Sequence, residues 1–168
     1  KNLKGKAAKG LIWSLVGLLV YVAFRFKHIN FAVAGVIALF HDVLVALGFL
    51  AITGRQVDLL SITAFLTISG YSINDTIVIY DRVRENSRLA RKMSLRELIN
   101  LSLNQTLGRT ILTSGVTLFV VIAIFLYGGE VLSNFAFTLL VGFISGVYST
   151  VYIASPLVLA WQSRKSRV

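Results

Sequence analysis

Long apolar runs constrain the fold of this chain more than any other feature of its sequence. An α-helix needs about 20 apolar residues to cross the hydrocarbon core of a bilayer. Five runs of suitable length can be counted, at residues 10–26, 29–53, 59–80, 107–127 and 133–161. Backbone groups inside a bilayer must be hydrogen-bonded within the protein, which only helices and closed barrels achieve. The runs therefore predict an all-α, polytopic membrane bundle of five transmembrane helices in a single domain.

The composition excludes several functional classes. Hydrophobic residues make up 56% of the 168 residues and charged residues only 14%, as expected for an integral membrane protein. The absence of cysteine rules out a disulfide framework and a thiol-based metal site, and two histidines are too few for a histidine cluster. There is no phosphate-binding glycine loop, G-x-S-x-G elbow or H-E-x-x-H motif, which argues against an ATPase or hydrolase. We therefore expect a non-enzymatic protein that binds no cofactor and takes its energy from outside the chain.

Basic residues in the loops predict how the bundle is oriented, because positive charge accumulates on the cytoplasmic side of membrane proteins. The side with more positive charge carries Arg25, Lys27, Arg82, Arg84, Arg88, Arg91, Lys92, Arg96, Arg164, Lys165 and Arg167. The other side carries Lys1, Lys4, Lys6, Lys9 and Arg55. We therefore expect the N-terminus outside and the C-terminus in the cytoplasm. The net charge of +10 then fits contact with anionic lipids, and no nucleic-acid partner is needed to explain it.

The polar segment 81–104 is predicted to be a cytoplasmic loop that contains a short helix. Ser94 and Glu97 are spaced as a capping box, in which each side chain satisfies a free backbone N–H of the other residue. An apolar stripe at helical spacing follows and predicts a helix that lies in the membrane interface. The stripe consists of Leu95, Leu98, Ile99, Ser102 and Leu103. The alternative is a solvated loop whose charges only set the orientation.

Two charged residues stand inside otherwise apolar spans. Asp75 lies in the third span, six residues before Asp81, and Arg109 lies near the start of the fourth. A charged side chain at membrane depth costs roughly 2.5–3.5 kcal/mol on insertion scales, so it persists mainly where it is paired or functional. Consecutive spans run antiparallel, and both residues lie toward the same side of the membrane. Asp75 and Arg109 are therefore predicted to form a site.

Such a site can act as a proton switch. Burial away from water favours the protonated form of Asp75, whereas a guanidinium within ~4–6 Å favours the anion. Movement of either helix would change which influence prevails, and the charge would in turn bias the helix position. Each proton that crosses the membrane supplies roughly 2.3 kcal/mol per 100 mV of potential. The alternative is a static salt bridge between two helices, with Arg109 extending toward the lipid headgroups.

Other polar residues near the two charges are candidates for a proton relay or for helix packing. They are Ser72, Asn74 and Thr76 in the third span, Gln105 and Thr113 in the fourth, and His41 and Asp42 in the second. Gln105, Arg109 and Thr113 recur at intervals of four residues, which predicts a polar stripe that faces the third span, and Thr106, Thr110 and Thr117 flank it on the same side. His41 and Asp42 point about 100° apart, so only one of them can face the site squarely. Both roles stay open for this pair.

The fifth span carries features of helix packing. Gly142, Ser145, Gly146 and Ser149 form a small-residue face that lets another helix approach closely. Pro156 is predicted to kink or end this span, because proline lacks the backbone N–H of a helix interior. We expect these features to be architectural.

Three runs of sequence are similar to one known family. They read LFHDVLVALGFLAITG at 39–54, GYSINDTIVIYDRVRENSR at 70–88 and LNQTLGRTILTSGVTL at 103–118. Together they resemble the membrane region of the SecF family, the accessory subunits of the bacterial Sec protein-export system, within the resistance-nodulation-division superfamily. The resemblance covers nearly the whole chain, and the middle run is a specific signature.

The resemblance implies a layout for the whole protein. Family members have six membrane helices and a folded extracytoplasmic domain between the first and second. The five spans would match family helices two to six, which is half of a resistance-nodulation-division membrane domain. The chain begins with Lys1, and its only methionine is Met93. We therefore expect the missing helix and the extracytoplasmic domain upstream, in a separate subunit or in a fused SecDF chain.

The resemblance also implies a function. The family's intramembrane aspartate and arginine, implicated in proton flow, fall on Asp75 and Arg109, and its His-Asp pair falls on His41 and Asp42. The implied protein lies in the bacterial inner membrane, pairs with SecD, and associates with the SecYEG channel and YajC to move preproteins at the expense of the proton gradient. Two alternatives stay open: another transporter of the same superfamily, for lipids or drugs, and a passive scaffold subunit whose polar pair merely joins helices.

Overall fold

Most of the residues that the structure describes are helical. A computed structural model describes residues 2–26, 29–89 and 93–165. The elements are α1 (Asn2–Phe26), α2 (Ile29–Ile52), α3 (Leu59–Leu89), α4 (Leu95–Tyr127), α5 (Gly129–Ser149), a π-helical turn (Thr150–Ala154) and α6 (Ser155–Lys165). No strand occurs in the described ranges, and the predicted all-α class is confirmed.

Four helical stretches in these ranges have the length and composition to cross a membrane. They are α2, α3, α4 and the continuous helix Gly129–Trp161, which joins α5 to α6 through the π-helical turn. The apolar part of α1, Ile12–Arg25, is shorter than the other four. The membrane helix bundle is therefore confirmed, while a full crossing by α1 stays a prediction.

Helices extend from both sides into the polar segment between the third and fourth spans. α3 continues to Leu89, and α4 begins at Leu95 and runs without interruption into the span. The capping box is present: Ser94 Oγ accepts from the Glu97 N–H at 3.3 Å, and the Glu97 carboxylate accepts from the Ser94 N–H at 2.8 Å. The helix predicted to start after Ser94 is therefore present, but it is continuous with the fourth span and is not a separate helix within a loop. Charged residues end an apolar run, but they do not end the backbone hydrogen bonds of a helix.

The apolar stripe at the start of α4 packs onto the bundle. Leu98 and Ile99 are each 7% exposed. Ile99 belongs to the same apolar cluster as Val22 of α1 and Tyr80 of α3. The stripe therefore helps to join α4 to the other helices, whereas its predicted place in the membrane interface stays a prediction.

Pro156 does not end the last helix. The chain passes through the π-helical turn just before it, and α6 then continues to Lys165. The Ser155 hydroxyl donates to the Thr150 carbonyl at 3.0 Å within this wide turn. A π-helical turn relieves the clash between the proline ring and the carbonyl four residues earlier, so the helix can absorb the proline.

One end of the bundle carries most of the arginines and is called the arginine-rich end. There Arg25 of α1 binds Asp81 of α3, with 2.9 Å between Nη2 and Oδ2. Arg82 of α3 binds Glu85 at 2.6 Å and donates to Gln105 of α4 at 2.7 Å. Among the basic residues that predict the orientation, those outside the described residues are Lys1, Lys27, Arg91, Lys92 and Arg167.

The opposite end, called the Arg55 end, is held by one arginine in the turn between α2 and α3. Arg55 donates to Ser133 Oγ at 3.1 Å and to Asn134 Oδ1 at 2.9 Å, both in α5. Its guanidinium also lies 4.6 Å from the ring centre of Phe137 and 5.8 Å from that of Phe125. These hydrogen bonds and cation–π contacts attach the turn to the start of α5.

α5 packs against α2, α3 and α4 through small residues. A Cβ atom at Gly142 would collide with the side chain of Ile68 in α3. One at Gly146 would lie 3.2 Å from Ser72 Cβ. The small-residue face predicted on the fifth span therefore brings α5 close to α3.

Candidate functional site

Asp75 lies on the buried face of α3, with 6% of its surface exposed. Among the described residues its one hydrogen bond comes from Ser114 of α4, whose Oγ lies 3.5 Å from Asp75 Oδ2. A hydrogen bond of this length is weak. Asp75 is therefore a buried carboxyl group with little to compensate a negative charge.

Arg109 lies on α4 near Asp75, but no ion pair joins them. Within the described ranges, their nitrogen and oxygen atoms make no contact of 4.0 Å or less that would count as a salt bridge. The Arg109 residue is exposed and lines a cleft between α3 and α4 at the arginine-rich end, together with Asp81, Glu85 and Gln105. Its guanidinium remains within electrostatic range of Asp75. The two predicted residues are therefore neighbours without a direct bond.

The face of α4 that packs into the bundle differs from the predicted one by a single residue. Gln105, Arg109 and Thr113 are exposed, although Gln105 accepts hydrogen bonds from Arg82 and Asn86 of α3. The buried polar residues of α4 are instead Ser102, Thr106, Thr110 and Ser114. Thr106 and Thr110, predicted to flank the stripe, thus form the buried face, while Gln105 and Arg109 line the cleft beside α3, since successive residues point about 100° apart around a helix.

Ser114, the hydrogen-bond partner of Asp75, is not among the site residues predicted from the sequence. A signal for it exists, because hydroxyl residues recur every four positions through Thr106, Thr110 and Ser114. A second polar series with the same period begins one residue earlier, at Gln105. The charge of Arg109 favours that second series, and sequence alone offers no contrary signal.

Asp42 of α2 is fully buried at the centre of a second polar cluster. Ser72 of α3 and Ser149 of α5 each donate to its Oδ2 at 2.8 Å, and Ser145 of α5 donates to its Oδ1 at 2.7 Å. Three helices thus converge on one carboxylate. The two serines of α5 are predicted only as small packing residues, and the structure adds that their hydroxyls solvate Asp42.

His41 lies at the edge of this cluster. Its Nδ1 is 3.2 Å from Asp42 Oδ1, and its side chain is 35% exposed. The ring centre lies 6.4 Å from that of Tyr148 in α5. As predicted, the two adjacent side chains face different surroundings, with Asp42 buried and His41 partly exposed.

The remaining candidates do not meet at Asp75. The hydroxyl oxygens of Thr76 and Thr150 lie 3.2 Å apart, and the Ser72 hydroxyl donates to Asp42. Asn74 is exposed on the outer face of α3. The Thr113 hydroxyl donates to the Arg109 carbonyl at 2.6 Å. Within the part of the chain that the structure describes, no group of three or more His, Asp or Glu residues could hold a metal ion.

Comparisons with known proteins place this geometry in a family. Residues 1–164 match the family described as protein export membrane protein SecD/SecF, C-terminal. The chain is 44% identical over 162 residues to protein translocase subunit SecF of Koribacter versatilis, covering 96% of this chain and 40% of that protein. It is also 44% identical over 168 residues to protein translocase subunit SecF of Calditerrivibrio nitroreducens, covering 99% of this chain and 55% of that protein. The chain thus spans about half the length of these relatives.

Fused relatives and solved structures agree with this assignment. Protein translocase subunit SecDF of Thermus thermophilus is 44% identical over 165 residues, which cover 98% of this chain and 22% of that protein. A crystal structure of SecDF in a super-membrane-facing form matches with a TM-score of 0.86 and 46% identity, covering 91% of this chain and 21% of the other. With its long apolar helices, the chain is part of a multi-pass inner-membrane protein. It belongs to the SecD/SecF family of protein export membrane proteins and corresponds to the C-terminal membrane region of SecF, in a separate subunit or a SecDF fusion.

Proposed function

We propose that this chain is a proton-coupled membrane subunit of the protein-export machinery and that Asp75 binds and releases the proton. The observation that carries the proposal is the isolation of this carboxyl group, which is 6% exposed and receives one hydrogen bond of 3.5 Å among the described residues. A buried charge with so little compensation is costly, so the group readily changes protonation state when its surroundings move.

Arg109 supplies the opposing influence in this proposal. A guanidinium that approaches Asp75 would favour the anion, and one that recedes into the cleft would favour the neutral acid. The absence of an ion pair between them in the described residues supports a movable arrangement over a static salt bridge. Each proton that crosses supplies roughly 2.3 kcal/mol per 100 mV, enough to bias a balance between two helix arrangements.

The proposal includes a membrane orientation and partners. We infer that the arginine-rich end faces the cytoplasm, with the N-terminus outside and the C-terminus inside, because basic residues favour that side. The SecDF names of similar proteins support pairing with SecD, either as a separate subunit or in one chain. The proposal also includes association with SecYEG and YajC. Its substrates are preproteins, and its energy source is the proton gradient, with no bound cofactor.

The test replaces Asp75 with asparagine in the complete protein that contains this chain. Asp75→Asn keeps the size and the hydrogen-bonding capacity of the side chain but cannot bind and release a proton. We expect proton-driven export of a preprotein into membrane vesicles to fall to the level without a proton gradient, while copurification with SecD stays intact. Asp58→Asn, at the other end of α3, is the matched control and should keep wild-type export.

Two outcomes would contradict the proposal. Normal gradient-dependent export by Asp75→Asn would exclude Asp75 as the proton site, and loss of SecD association alone would indicate a scaffold. An exchange of the two charges, Asp75→Arg with Arg109→Asp, separates the cases further. A scaffold that needs only opposite charges would keep its function, whereas a proton site that depends on the surroundings of Asp75 would lose it.

A further inference from the structure

A cleft between α3 and α4 leads from the arginine-rich end toward the site. Its volume is about 380 Å³, and it is open to the surface. The polar and charged side chains that line it are Asp81, Arg82, Glu85, Gln105, Thr106 and Arg109. A cavity of this size and polarity accommodates several water molecules. Water can therefore reach α4 at the level of Thr106.

From the cleft inward, the buried face of α4 is made of hydroxyl groups. Thr106 lines the cleft, Thr110 follows four residues later, and Ser114 follows after four more and contacts Asp75. Four residues of helix rise about 6 Å. Two hydrogen bonds of about 2.8 Å through one water cover a similar distance. One water per step would therefore connect the cleft to the carboxyl group.

Thr110 differs from the other hydroxyl residues of this helix. Ser102, Thr106, Thr113 and Thr117 each donate to the carbonyl four residues earlier in α4. Thr110 is 2% exposed, and among the residues that the structure describes its Oγ1 has no hydrogen-bond partner. Buried polar atoms normally have a partner, either from the protein or from an ordered water. An ordered water in the middle of this face would therefore supply the hydrogen bond that the Thr110 hydroxyl lacks.

We infer that the face through Thr106, Thr110 and Ser114 is a proton path between the cleft and Asp75, with a water held by Thr110 as its central link. The inference rests on the proposed proton function of Asp75. In the release direction, the O–H bond of Asp75 breaks and a new O–H bond forms on the adjacent water or hydroxyl. Each following oxygen receives one proton and passes one on, so that a hydronium ion leaves through the cleft and Asp75 becomes a carboxylate.

Arg109 makes this path sensitive to helix position. Its guanidinium shares the cleft with the carboxylates of Asp81 and Glu85 and with Arg82. A positive charge in the cleft repels a hydronium ion, whereas the two carboxylates attract it. Movement of Arg109 would thus change how readily a proton passes.

The experiment measures proton flux through the complete SecD–SecF protein that contains this chain, reconstituted in liposomes with an internal pH dye. Thr110→Val keeps the shape of the side chain but removes the hydroxyl. We expect proton flux to fall about tenfold or more in Thr110→Val, because a relay through positioned groups contributes at least that factor. Thr63→Val, which removes an exposed hydroxyl near the other end of α3, should stay within about twofold of wild type, since that hydroxyl donates to the Leu59 carbonyl of its own helix.

Three further variants make the result decisive. Thr110→Ser restores the hydroxyl and should recover most of the flux, and failure to do so would assign the loss to packing and overturn the path. Flux in Thr110→Val equal to that in Thr63→Val, with Asp75→Asn inactive, would overturn the path and leave the proposed function standing. Full flux in Asp75→Asn would overturn the proposed function itself. Ser114→Ala should slow the flux as Thr110→Val does, and an unchanged rate would also overturn the path.

Discussion

Asp42 and Asp75 are two buried carboxyl groups in adjacent helices of the same bundle, and their surroundings differ greatly. Asp42 receives three serine hydrogen bonds of 2.7–2.8 Å from α3 and α5. Asp75 receives one of 3.5 Å. The three hydroxyl donors satisfy the oxygens of Asp42 and join α2 to the helices that supply them. Asp42 is therefore a hydrogen-bonded link between helices, whereas Asp75 has few bonds that hold it in one arrangement, as its proposed proton function requires.

The sharpest way to break this comparison is to remove each carboxyl group and measure stability. Asp42→Ala leaves three buried serine hydroxyls without their acceptor, and we expect it to lower the free energy of unfolding by about 3 kcal/mol. Asp75→Asn removes a poorly compensated group and should change it by less than about 1 kcal/mol. Unfolding in mixed micelles with increasing denaturing detergent measures both. Equal losses for the two variants would mean that the three hydrogen bonds of Asp42 stabilise the fold no more than the one hydrogen bond of Asp75.

Removing a single serine donor from each aspartate should give a smaller loss of stability and sharpen the comparison. Ser145→Ala removes one of the three short hydrogen bonds to Asp42 and should cost about 1 kcal/mol, the upper range for interhelical hydrogen bonds in membrane proteins. Ser114→Ala removes the long hydrogen bond to Asp75 and should cost less than about 0.5 kcal/mol. The same detergent titration compares the two alanine variants. A larger loss for Ser114→Ala would reverse the roles assigned to the two aspartates.

An effect of similar size extends the comparison to Asp58, a carboxyl group at the start of α3 outside the span. Partial burial raises the pKa of Asp58, but the N–H and hydroxyl of Ser61, each donating at 2.7 Å, together hold the pKa below its usual value. Asp58→Ala should therefore cost about 1 kcal/mol at neutral pH, as for the loss of a helix cap.

The pH dependence of this third carboxyl group follows from the lowered pKa. A group whose pKa is lower in the folded state stabilises the fold above its unfolded pKa, and the contribution is lost as the pH falls through its folded pKa. The difference in unfolding free energy between wild type and Asp58→Ala should accordingly be constant near neutral pH and shrink in acid. A difference that grows in acid would show that hydrogen bonds from Ser61 do not favour the charged form.

The polar residues of α4 show why part of the site could not be predicted. Gln105, Arg109 and Thr113 recur with the same four-residue period as Thr106, Thr110 and Ser114, one position earlier. Both series are polar, so hydropathy does not distinguish them. Which one is buried depends on the rotation of α4 about its axis, and contacts with α3 and α5 fix that rotation.

The sequence by itself determined the helices, because a chain with apolar runs of this length can satisfy its backbone in a membrane only as helices or a closed barrel. It also determined the start of α4, since a capping box depends on residues three positions apart. Only the tertiary structure decided that three serines converge on Asp42, that Ser114 contacts Asp75, and that Arg109 lines a cleft without an ion pair to Asp75. The physical reason is that local pattern fixes hydrogen bonds along one helix, whereas contacts between helices depend on how all of them pack together.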